Sequence, residues 1–333
     1  MKIDVVLPWV TSSDPKWQAS RNKYLGESAK ADGKIDNDEE LFRDWDTLKY
    51  LLRGINDHMP WVNKIFLVTA GQRPEWLQEA GKLKLIDHQD FIPKEYLPTF
   101  SSHAIELNFH RIPGLSEHFI YFNDDMLPAQ NLKETDFFKG GLPADQASLL
   151  RISQPIYDLI YGHVLLNNTA LLNQHFSTRS LKRQRKFFSL KQGWKPTLMS
   201  LPYLHYKNLP GFFNAHGPQP FLKSAYERLW ELEPEVLGAT SSNKFRHILD
   251  VNQYVFRDFQ LLSGQWSPHN IVRRTRFFKD FPGQFAALEK TLQDKKVQVV
   301  CINDDVTEDF AGSFKRMQEI LDRHYPNPSP WEK

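Results

Sequence analysis

Two adjacent carboxylates follow an apolar run in the first half of the chain. The run 118–122 leads directly into Asn123, Asp124 and Asp125. Adjacent carboxylates in a loop can hold a hard divalent cation, and Mg²⁺ is usually bound by one or two carboxylates plus substrate phosphates. The pattern indicates metal-assisted nucleotide-sugar or phosphoryl chemistry, or else a helix N-cap or turn. A second Asn-Asp-Asp sequence, at 303–305, also follows a predicted strand.

A cluster of titratable residues lies at 101–111. His103, Glu106 and His110 are spaced i, i+3 and i+7 on one face of a predicted helix, and Arg111 follows them. Such a face suits phosphate binding or proton transfer, but the same pattern is typical of a solvated helix surface. Zinc has little support, because the chain contains no HExxH motif.

His216 lies in a loop that glycine and proline residues make rigid. The loop could hold the imidazole as a general base for a sugar hydroxyl, or His216 could be an ordinary turn residue. Arg246 stands near the start of a predicted helix. It could bind a pyrophosphate through two hydrogen bonds, or it could pair with Asp250 at i+4.

The segments that would position these residues alternate between strand-like and helix-like patterns. Apolar runs predict strands at 3–10, 64–69, 83–86 and 118–122. A helix is predicted over 44–56 from the spacing of Leu48, Leu51, Leu52 and Ile55. This alternation predicts an α/β fold with a mainly parallel sheet, in which ligands bind beyond the carboxyl ends of the strands. The residues at those positions are Asp14, Gly71, Asp124 and Asp125.

The second half of the chain is more helical and aromatic, with a proline-rich middle. We place the boundary at 160, between an α/β core at 1–160 and a helical, loop-rich part at 161–333 that completes the site. A late strand near 297–302 would return to the core. The proline-rich stretch 327–330 is expected to be frayed.

The composition is that of a folded globular protein, with 333 residues of which 41% are hydrophobic. The net charge of +2 provides no global field for a polyanion, so we expect no nucleic-acid partner. Cys301 is the only cysteine, which excludes an intrachain disulfide and favours a reducing, cytoplasmic location. The sequence has no GxGxxG, GxxxxGKS/T or GxSxG motif, which argues against dinucleotide oxidoreductases, P-loop nucleotidases and α/β-hydrolases.

A basic run without acidic residues occupies 179–195. Its members are Arg179, Lys182, Arg183, Arg185, Lys186, Lys191 and Lys195, interleaved with Phe187, Phe188 and Trp194. The run could contact a polyanionic acceptor or anionic lipid head groups, or it could be a solvated basic face. No apolar stretch is long enough to span a membrane and no signal peptide is recognisable, so we expect any contact with the inner membrane face to be peripheral.

Motifs in a fixed order extend along nearly the whole chain. They are IDVVLPWV at 3–10, RDWD at 43–46, SSHAIE at 101–106, YFNDD at 121–125, HGP at 216–218 and CIND at 301–304. Arg246 and Asp250 belong with the HGP motif. Together these motifs resemble the four conserved regions of the Stealth family of sugar-1-phosphate transferases.

The resemblance implies a Rossmann-like or glycosyltransferase-A-like fold in which 1–160 binds a nucleotide sugar. It implies transfer of hexose-1-phosphate from a nucleotide-diphospho-sugar, a UDP-hexose or UDP-N-acetylhexosamine, to a hydroxyl of a growing capsular polysaccharide or exopolysaccharide. A phosphodiester would form and UMP would be released. The implied ligands are the nucleotide-sugar donor, an oligosaccharide or polysaccharide acceptor, and Mg²⁺ or Mn²⁺.

The same resemblance implies roles for individual residues. Catalytic roles fall to Asp124 and Asp125 at the metal or acceptor hydroxyl, His216 as base, Arg111 and Arg246 on phosphate oxygens, and His103. Substrate-binding roles fall to Trp9, Asp14, Asp46, Arg53, Gly71, Glu106, Asn123, Asp250, Asn252, Asn303 and Asp304. One departure stands out, since Thr11-Ser12 replaces the Asp-Gly that the family usually carries after Trp-Val, which puts the donor's identity in question.

Two other functions stay open from the sequence. A conventional metal-dependent glycosyltransferase would use the Asn-Asp-Asp sequence as its metal motif and would release UDP. A non-catalytic polysaccharide-binding protein would use the nine tryptophans and 24 phenylalanines as stacking surfaces, although most such residues are more simply core.

Overall fold

The computed structural model describes residues 1–32, 35–36, 45–153, 160–278, 283–303 and 309–333. The strands in chain order are β1 Ile3–Pro8, β2 Ile35–Asp36, β3 Ile65–Thr69, β4 Leu83–Asp87, β5 His118–Tyr121, β6 Met126–Pro128, β7 Phe138–Lys139, β8 Leu142–Asp145, β9 Gln219–Leu222, β10 Arg246–His247, β11 Ser267–Pro268, β12 Thr275–Phe278 and β13 Val299–Ile302. The α-helices are α1 Pro15–Asp32, α2 Leu48–His58, α3 Ser102–Glu106, α4 Glu134–Phe137, α5 Ile160–Leu172, α6 Thr178–Lys182, α7 Trp194–Ser200, α8 Lys223–Leu232, α9 Pro234–Ser242, α10 Tyr254–Ser263, α11 Phe285–Gln293 and α12 Phe310–His324.

The main sheet has the strand order β4-β3-β1-β5-β9. The first four strands are parallel, and β9 runs antiparallel to β5. All five residues of β3 are buried, as expected of strands whose two faces are both covered. The order of the parallel strands is the 3-2-1-4 order of doubly wound folds, and the predicted α/β fold with a mainly parallel sheet is confirmed.

Helix α2 contributes the predicted periodic residues to the hydrophobic core. Leu48, Leu51, Leu52 and Ile55 are all buried. Gly54 faces β6 so closely that a Cβ atom there would lie 2.7 Å from the carbonyl oxygen of Pro128. Only glycine permits this approach, because real Cβ atoms do not come that near to a backbone oxygen.

The late strand β13 pairs with the first half of the chain but not with the main sheet. It runs antiparallel to β6 and parallel to β12. The amide of Ile302 donates to the carbonyl of Asp125 over 3.0 Å, which ties the end of β13 to the Asn-Asp-Asp turn. One hydrophobic core contains residues from both sides of position 160, and the boundary there stays a prediction. No described helix combines the length and apolar composition needed to cross a bilayer.

The expectation of a frayed end at 327–330 is wrong. Trp331 is buried and its indole donates to the carbonyl of Ala80 over 3.0 Å, while the amide of Lys333 donates to Trp76. Glu332 forms an ion pair with the buried Arg53 over 2.6 Å. These C-terminal residues are held against the core because Glu332 is the carboxylate partner of Arg53, which lies on the buried face of α2.

Replacing Glu332 with glutamine should lower the free energy of unfolding by about 2 kcal/mol at neutral pH, because a charge-assisted pair is lost. Burial raises the pKa of Glu332, but hydrogen bonds from Arg53 and Ser329 outweigh it and hold the pKa below the ordinary 4.5. The contribution is therefore complete above pH 4.5 and disappears as pH falls through the lowered pKa. Urea unfolding of the wild type and of Glu332→Gln, from neutral pH to below pH 4.5, measures this difference in the free energy of unfolding. A stability difference that grows towards low pH would contradict the assignment.

Candidate active site

A cleft opens where the carboxyl ends of β1 and β5 meet the loop before β9. Its larger compartment has a volume of about 890 Å³, and a smaller one of about 170 Å³ adjoins it. Both compartments are lined by Ser102, Glu106, Asn123, Asp124 and Arg246. Of the residues predicted to act in the site, the cleft brings together Trp9, His103, Glu106, Asn123, Asp124, Asp125, His216, Arg246, Asn252 and Asn303.

Asp125 and His216 form a pair in the larger compartment. Asp125 lies in the turn between β5 and β6, and Nε2 of His216 lies 2.7 Å from its Oδ2. A carboxylate only accepts hydrogen bonds, so Nε2 carries the proton and Nδ1 of the neutral ring is left as an acceptor. Burial lowers the pKa of His216, but the hydrogen bond and charge of Asp125 outweigh it, and the pKa is raised above 6.5.

The small β6-β13-β12 sheet contacts the backbone at both residues of this pair. Ile302 donates to the carbonyl of Asp125, and the buried thiol of Cys301 lies 3.7 Å from the carbonyl oxygen of His216. The ring of Phe277 packs against the imidazole with a centroid distance of 5.0 Å. The late strand thus contributes to the site by positioning the two loops that carry the pair.

Arg257 anchors the His216 loop and was missed by the sequence analysis. Its guanidinium donates to Oδ1 of Asn214 over 2.6 Å and to the carbonyl of Phe213 over 3.2 Å. It also forms buried ion pairs with Asp145 and Asp258. Burial raises the pKa of Asp258 to about 7 in spite of the arginine. The available signal was the Arg-Asp dipeptide in the segment 254–262, whose other residues apart from Gln260 are apolar or aromatic, because charges in such a segment are tolerated only with partners.

His103 is held by a carboxylate beneath the cleft. Its Nδ1 lies 2.9 Å from Oδ2 of Asp250, which is fully buried and also accepts from Asn243 and from the amide of His247. Asp250 therefore positions His103, which itself lines the larger compartment.

Glu106 and Arg246 stand together where the two compartments meet. Burial raises the pKa of Glu106, opposed by the nearby His103, by a hydrogen bond from Tyr121 and by the charge of Arg246. The Tyr121 hydroxyl donates to Glu106 over 2.7 Å. The Arg246 guanidinium donates to the Ser102 hydroxyl over 3.0 Å. The junction of the two compartments therefore holds both an acidic and a basic side chain, Glu106 and Arg246.

The predicted helical face with His103, Glu106 and His110 does not form. Helix α3 ends at Glu106, and a separate 3₁₀ turn spans Phe109–Arg111. His110 is buried beside Tyr226 and Trp230, and burial lowers its pKa to about 3. The break in the helix separates His110 from the cleft.

Six other predicted site residues lie outside the lining of both compartments: Asp14, Asp46, Arg53, Gly71, Arg111 and Asp250. Arg53 is paired with Glu332, and Arg111 donates to Asn108 and stacks on Trp230 at 4.8 Å. Arg111 was expected on phosphate oxygens and Arg53 in substrate binding, but these contacts engage both guanidinium groups within the protein, outside the lining of the cleft. Asp304 lies outside the described residues.

Three of these residues shape the loops around the cleft. Asp14 caps α1 by accepting from the amide of Lys16 over 2.8 Å, and so orients the helix that carries Trp17 into the smaller compartment. Asp46 and Gly71 adopt positive φ angles of 53° and 75°, at the turns before α2 and after β3. Burial raises the pKa of Asp46.

The departure at Thr11-Ser12 is accommodated by Gln72. The side chain of Gln72 accepts from the amide of Thr11 over 3.0 Å and donates to its carbonyl over 2.8 Å. Gln72 is itself buried after β3. This two-point contact fixes the loop after β1, next to Trp9, without an acid or glycine at position 11 or 12.

The oxygen donors of the cleft fit a hard cation such as Mg²⁺. Asp124 lines both compartments, and Oδ1 of Asp125 is buried with no hydrogen-bond partner in the described part of the chain. Asn303 lines the larger compartment as well. Within the described residues no group of three or more His, Cys, Asp or Glu forms a complete metal cage. Asp124 and Asp125 supply the one or two carboxylates through which a protein usually binds Mg²⁺ together with substrate phosphates.

Comparison with known families and proteins agrees with the motifs. Models of the Stealth protein conserved regions 1, 2 and 4 match residues 1–29, 41–144 and 290–333. The HGP motif with Arg246 and Asp250 falls between these matches, so its assignment to a third region stays a prediction. The solved galactosyltransferase LgtC, in complex with donor and acceptor sugar analogues, aligns over 96% of this chain and 95% of its own at 11% identity. The TM-score of this alignment is 0.43.

Curated relatives match the chain almost from end to end. Receptor polysaccharide phosphotransferase WefC of Streptococcus oralis is 40% identical, over 96% of this chain and 97% of its own. Capsular polysaccharide phosphotransferase WcwK of Streptococcus pneumoniae is 38% identical, over 96% and 95%. Exopolysaccharide phosphotransferase cps2G of Lactiplantibacillus plantarum is 34% identical, over 99% and 96%. With three matched conserved regions and relatives of this identity along its full length, the chain belongs to the Stealth family and is a transferase.

Proposed function

We propose that this enzyme transfers hexose-1-phosphate from a UDP-hexose or UDP-N-acetylhexosamine to a hydroxyl of a capsular polysaccharide or exopolysaccharide. The observation that carries the proposal is the Asp125–His216 pair, which faces the same cleft as Asp124 and Arg246. The names of the curated relatives, all polysaccharide phosphotransferases, support the class of acceptor. The lone, buried Cys301 agrees with a cytoplasmic reaction.

The smaller compartment suits the nucleoside end of the donor. Trp9, Trp17 and Phe100 supply aromatic surfaces for a base and ribose. His88 lines the same space as a neutral imidazole, since burial lowers its pKa to about 4. From there the diphosphate would reach the junction of the compartments, at Arg246 and Asp124. The larger compartment, with Tyr161, Phe213 and Phe277 in its wall, has the size for an oligosaccharide acceptor.

The reaction is an attack at phosphorus. Nδ1 of His216 accepts the proton of the acceptor hydroxyl, whose oxygen forms a bond to the β-phosphorus of the donor. The bond from the β-phosphorus to the bridging oxygen breaks, and UMP leaves with that oxygen. Arg246 stabilises the charge on the phosphate oxygens, and Asp125 stabilises the imidazolium that forms. In such reactions most of the catalytic effect comes from positioning and charge neutralisation.

The carboxylates would also hold the cation. Asp124 and Oδ1 of Asp125 are the donors that suit Mg²⁺ or Mn²⁺, while Oδ2 of Asp125 remains on His216. When bound, the ion would neutralise charge on the donor's diphosphate.

The released nucleotide distinguishes this reaction from its rivals. We expect purified enzyme with Mg²⁺, UDP-sugars and a capsule-type oligosaccharide to release UMP only when the acceptor is present, as measured by chromatography. A phosphodiester should appear in the acceptor product by ³¹P NMR. Release of UDP with a glycoside product would instead establish a conventional glycosyltransferase. Acceptor binding without turnover of any nucleotide sugar would establish a polysaccharide-binding protein.

A further inference from the structure

An excursion of the chain over 178–207, here called the basic lobe, separates α5 from the loop that carries His216. Its two ends lie side by side, since the amide of Thr178 donates to the carbonyl of Lys207 over 3.1 Å. Asn173 and Leu209 close the base of the lobe with two further hydrogen bonds, of 3.1 and 2.7 Å. The lobe contains α6 and α7 and leads directly into the cleft residues Phe213 and Asn214.

The basic lobe is anchored to the body of the protein from within. Leu181 and Phe187 are fully buried. Gln192 accepts from the amide of Ala147 over 3.0 Å, and Ser200 accepts from the amide of Leu149 over 2.9 Å. Lys186 donates to the carbonyls of Gly264 and Trp266, both over 2.6 Å. These inward contacts tie the lobe to the rest of the protein, while other side chains of the same segment are exposed to solvent.

Several of the exposed side chains of the basic lobe are large and apolar. Leu190 is 76% exposed and Trp194 is 61% exposed, and the others are Leu198, Met199, Leu201 and Tyr206. Single exposed apolar residues are common, but a concentration of this kind in one short segment marks an interaction surface.

Exposed cations accompany the apolar residues. They are Arg179, Lys182, Arg183, Arg185, Lys191 and Lys195. The whole lobe contains no aspartate or glutamate. The lobe therefore presents both apolar side chains and uncompensated positive charge on one short segment. A solvated basic face would carry the charge but not the exposed apolar side chains.

We propose that the basic lobe docks on an anionic lipid bilayer. Leucine and methionine side chains would enter the interface, Trp194 and Tyr206 would lie at the level of the head groups, and the lysines and arginines would contact lipid phosphates. The apolar component favours lipid over a soluble polyanion, which would need only the charges. Docking would place the mouth of the acceptor compartment close to the membrane, because the lobe continues into the His216 loop.

Vesicle sedimentation tests the proposal with two double variants. Wild-type protein should bind phosphatidylcholine vesicles that contain phosphatidylglycerol and should bind pure phosphatidylcholine much more weakly. Lys191→Glu with Lys195→Glu should weaken binding by about fivefold or more for each lysine at low salt. Leu190→Ser with Trp194→Ser should weaken binding at both low and high salt.

Matched controls lie elsewhere on the surface. Lys295→Glu with Lys296→Glu, two adjacent exposed lysines, and Leu249→Ser, an apolar residue that is 70% exposed, should bind as wild type. Vesicle binding that is absent in the wild type, or that the lobe variants leave unchanged, would overturn the proposal. Binding of the wild-type protein to a soluble anionic polysaccharide, without binding to vesicles, would also overturn the proposal. Nucleotide release with a soluble acceptor should be the same in all variants, so this test is independent of the proposed reaction.

Discussion

Replacing His216 with alanine should lower kcat by roughly 10²- to 10⁴-fold, the usual contribution of a general base. The donor KM should stay near that of the wild type, because His216 lines the larger compartment, which we propose for the acceptor, and not the smaller one. Steady-state release of UMP, with donor and acceptor varied in turn, measures both constants. A large rise in donor KM with an unchanged kcat would contradict the role of base and indicate a binding residue.

The companion variant Asp125→Asn tests whether His216 acts as a general base or has only a structural role. In the wild type, activity should rise with pH through the pKa of His216, which Asp125 holds above 6.5, because only the neutral ring accepts a proton. Without the carboxylate charge, burial alone acts on the ring, and the rise should move to lower pH. Activity should also fall, since an amide neither enforces the tautomer nor supplies the carboxylate that we propose for the cation, so the shift of the pH profile, and not the loss of activity, tests the base. A rise at the same pH in both proteins would mean that another group titrates.

Replacing Arg257 with methionine should lower the free energy of unfolding by about 3–5 kcal/mol, since it leaves Asp145 and Asp258 buried without their cation. The arginine side chain is only 3% exposed, and its partners are 3% and 2% exposed. Urea unfolding at neutral pH measures the loss. Folded Arg257→Met should also have a lower kcat than wild type, because Phe213 and Asn214 lose the anchor that orients the His216 loop.

An exposed ion pair supplies the control for this prediction. Arg228 lies 2.8 Å from Glu231 on α8, but both side chains are more than 60% exposed. Arg228→Met should therefore change stability by less than about 1 kcal/mol. If Arg257→Met does not fold, Arg257→Lys, which keeps the charge but not the forked geometry, should show an intermediate loss. Equal stability of the Arg257 and Arg228 variants would refute the anchoring role.

Local patterns in the sequence were sufficient for four strands of the main sheet and for helix α2, but not for the helical face predicted at 103–110, where the helix ends at Glu106. The strands predicted at 3–10, 64–69, 83–86 and 118–122 appear as β1, β3, β4 and β5, and the helix predicted over 44–56 appears as Leu48–His58. Apolar runs and helical periodicity act over a few residues, so the sequence alone carries them. Because parallel strands bring their carboxyl ends to one edge, the sequence also indicated that Asp124 and Asp125 face the cleft. The motifs were sufficient for the family.

The partners of each polar group were decided by the tertiary structure. Asp125 and His216 are 91 positions apart, and Arg53 finds Glu332 across 279 positions. Sequence spacing predicts neighbours along one helix or strand, but it carries no information about which distant loop packs against another. The buried Arg53 needs a partner, and Glu332 supplies it. Arg246 lines the cleft while it donates to Ser102, and the exposed Arg111 donates to Asn108 and stacks on Trp230.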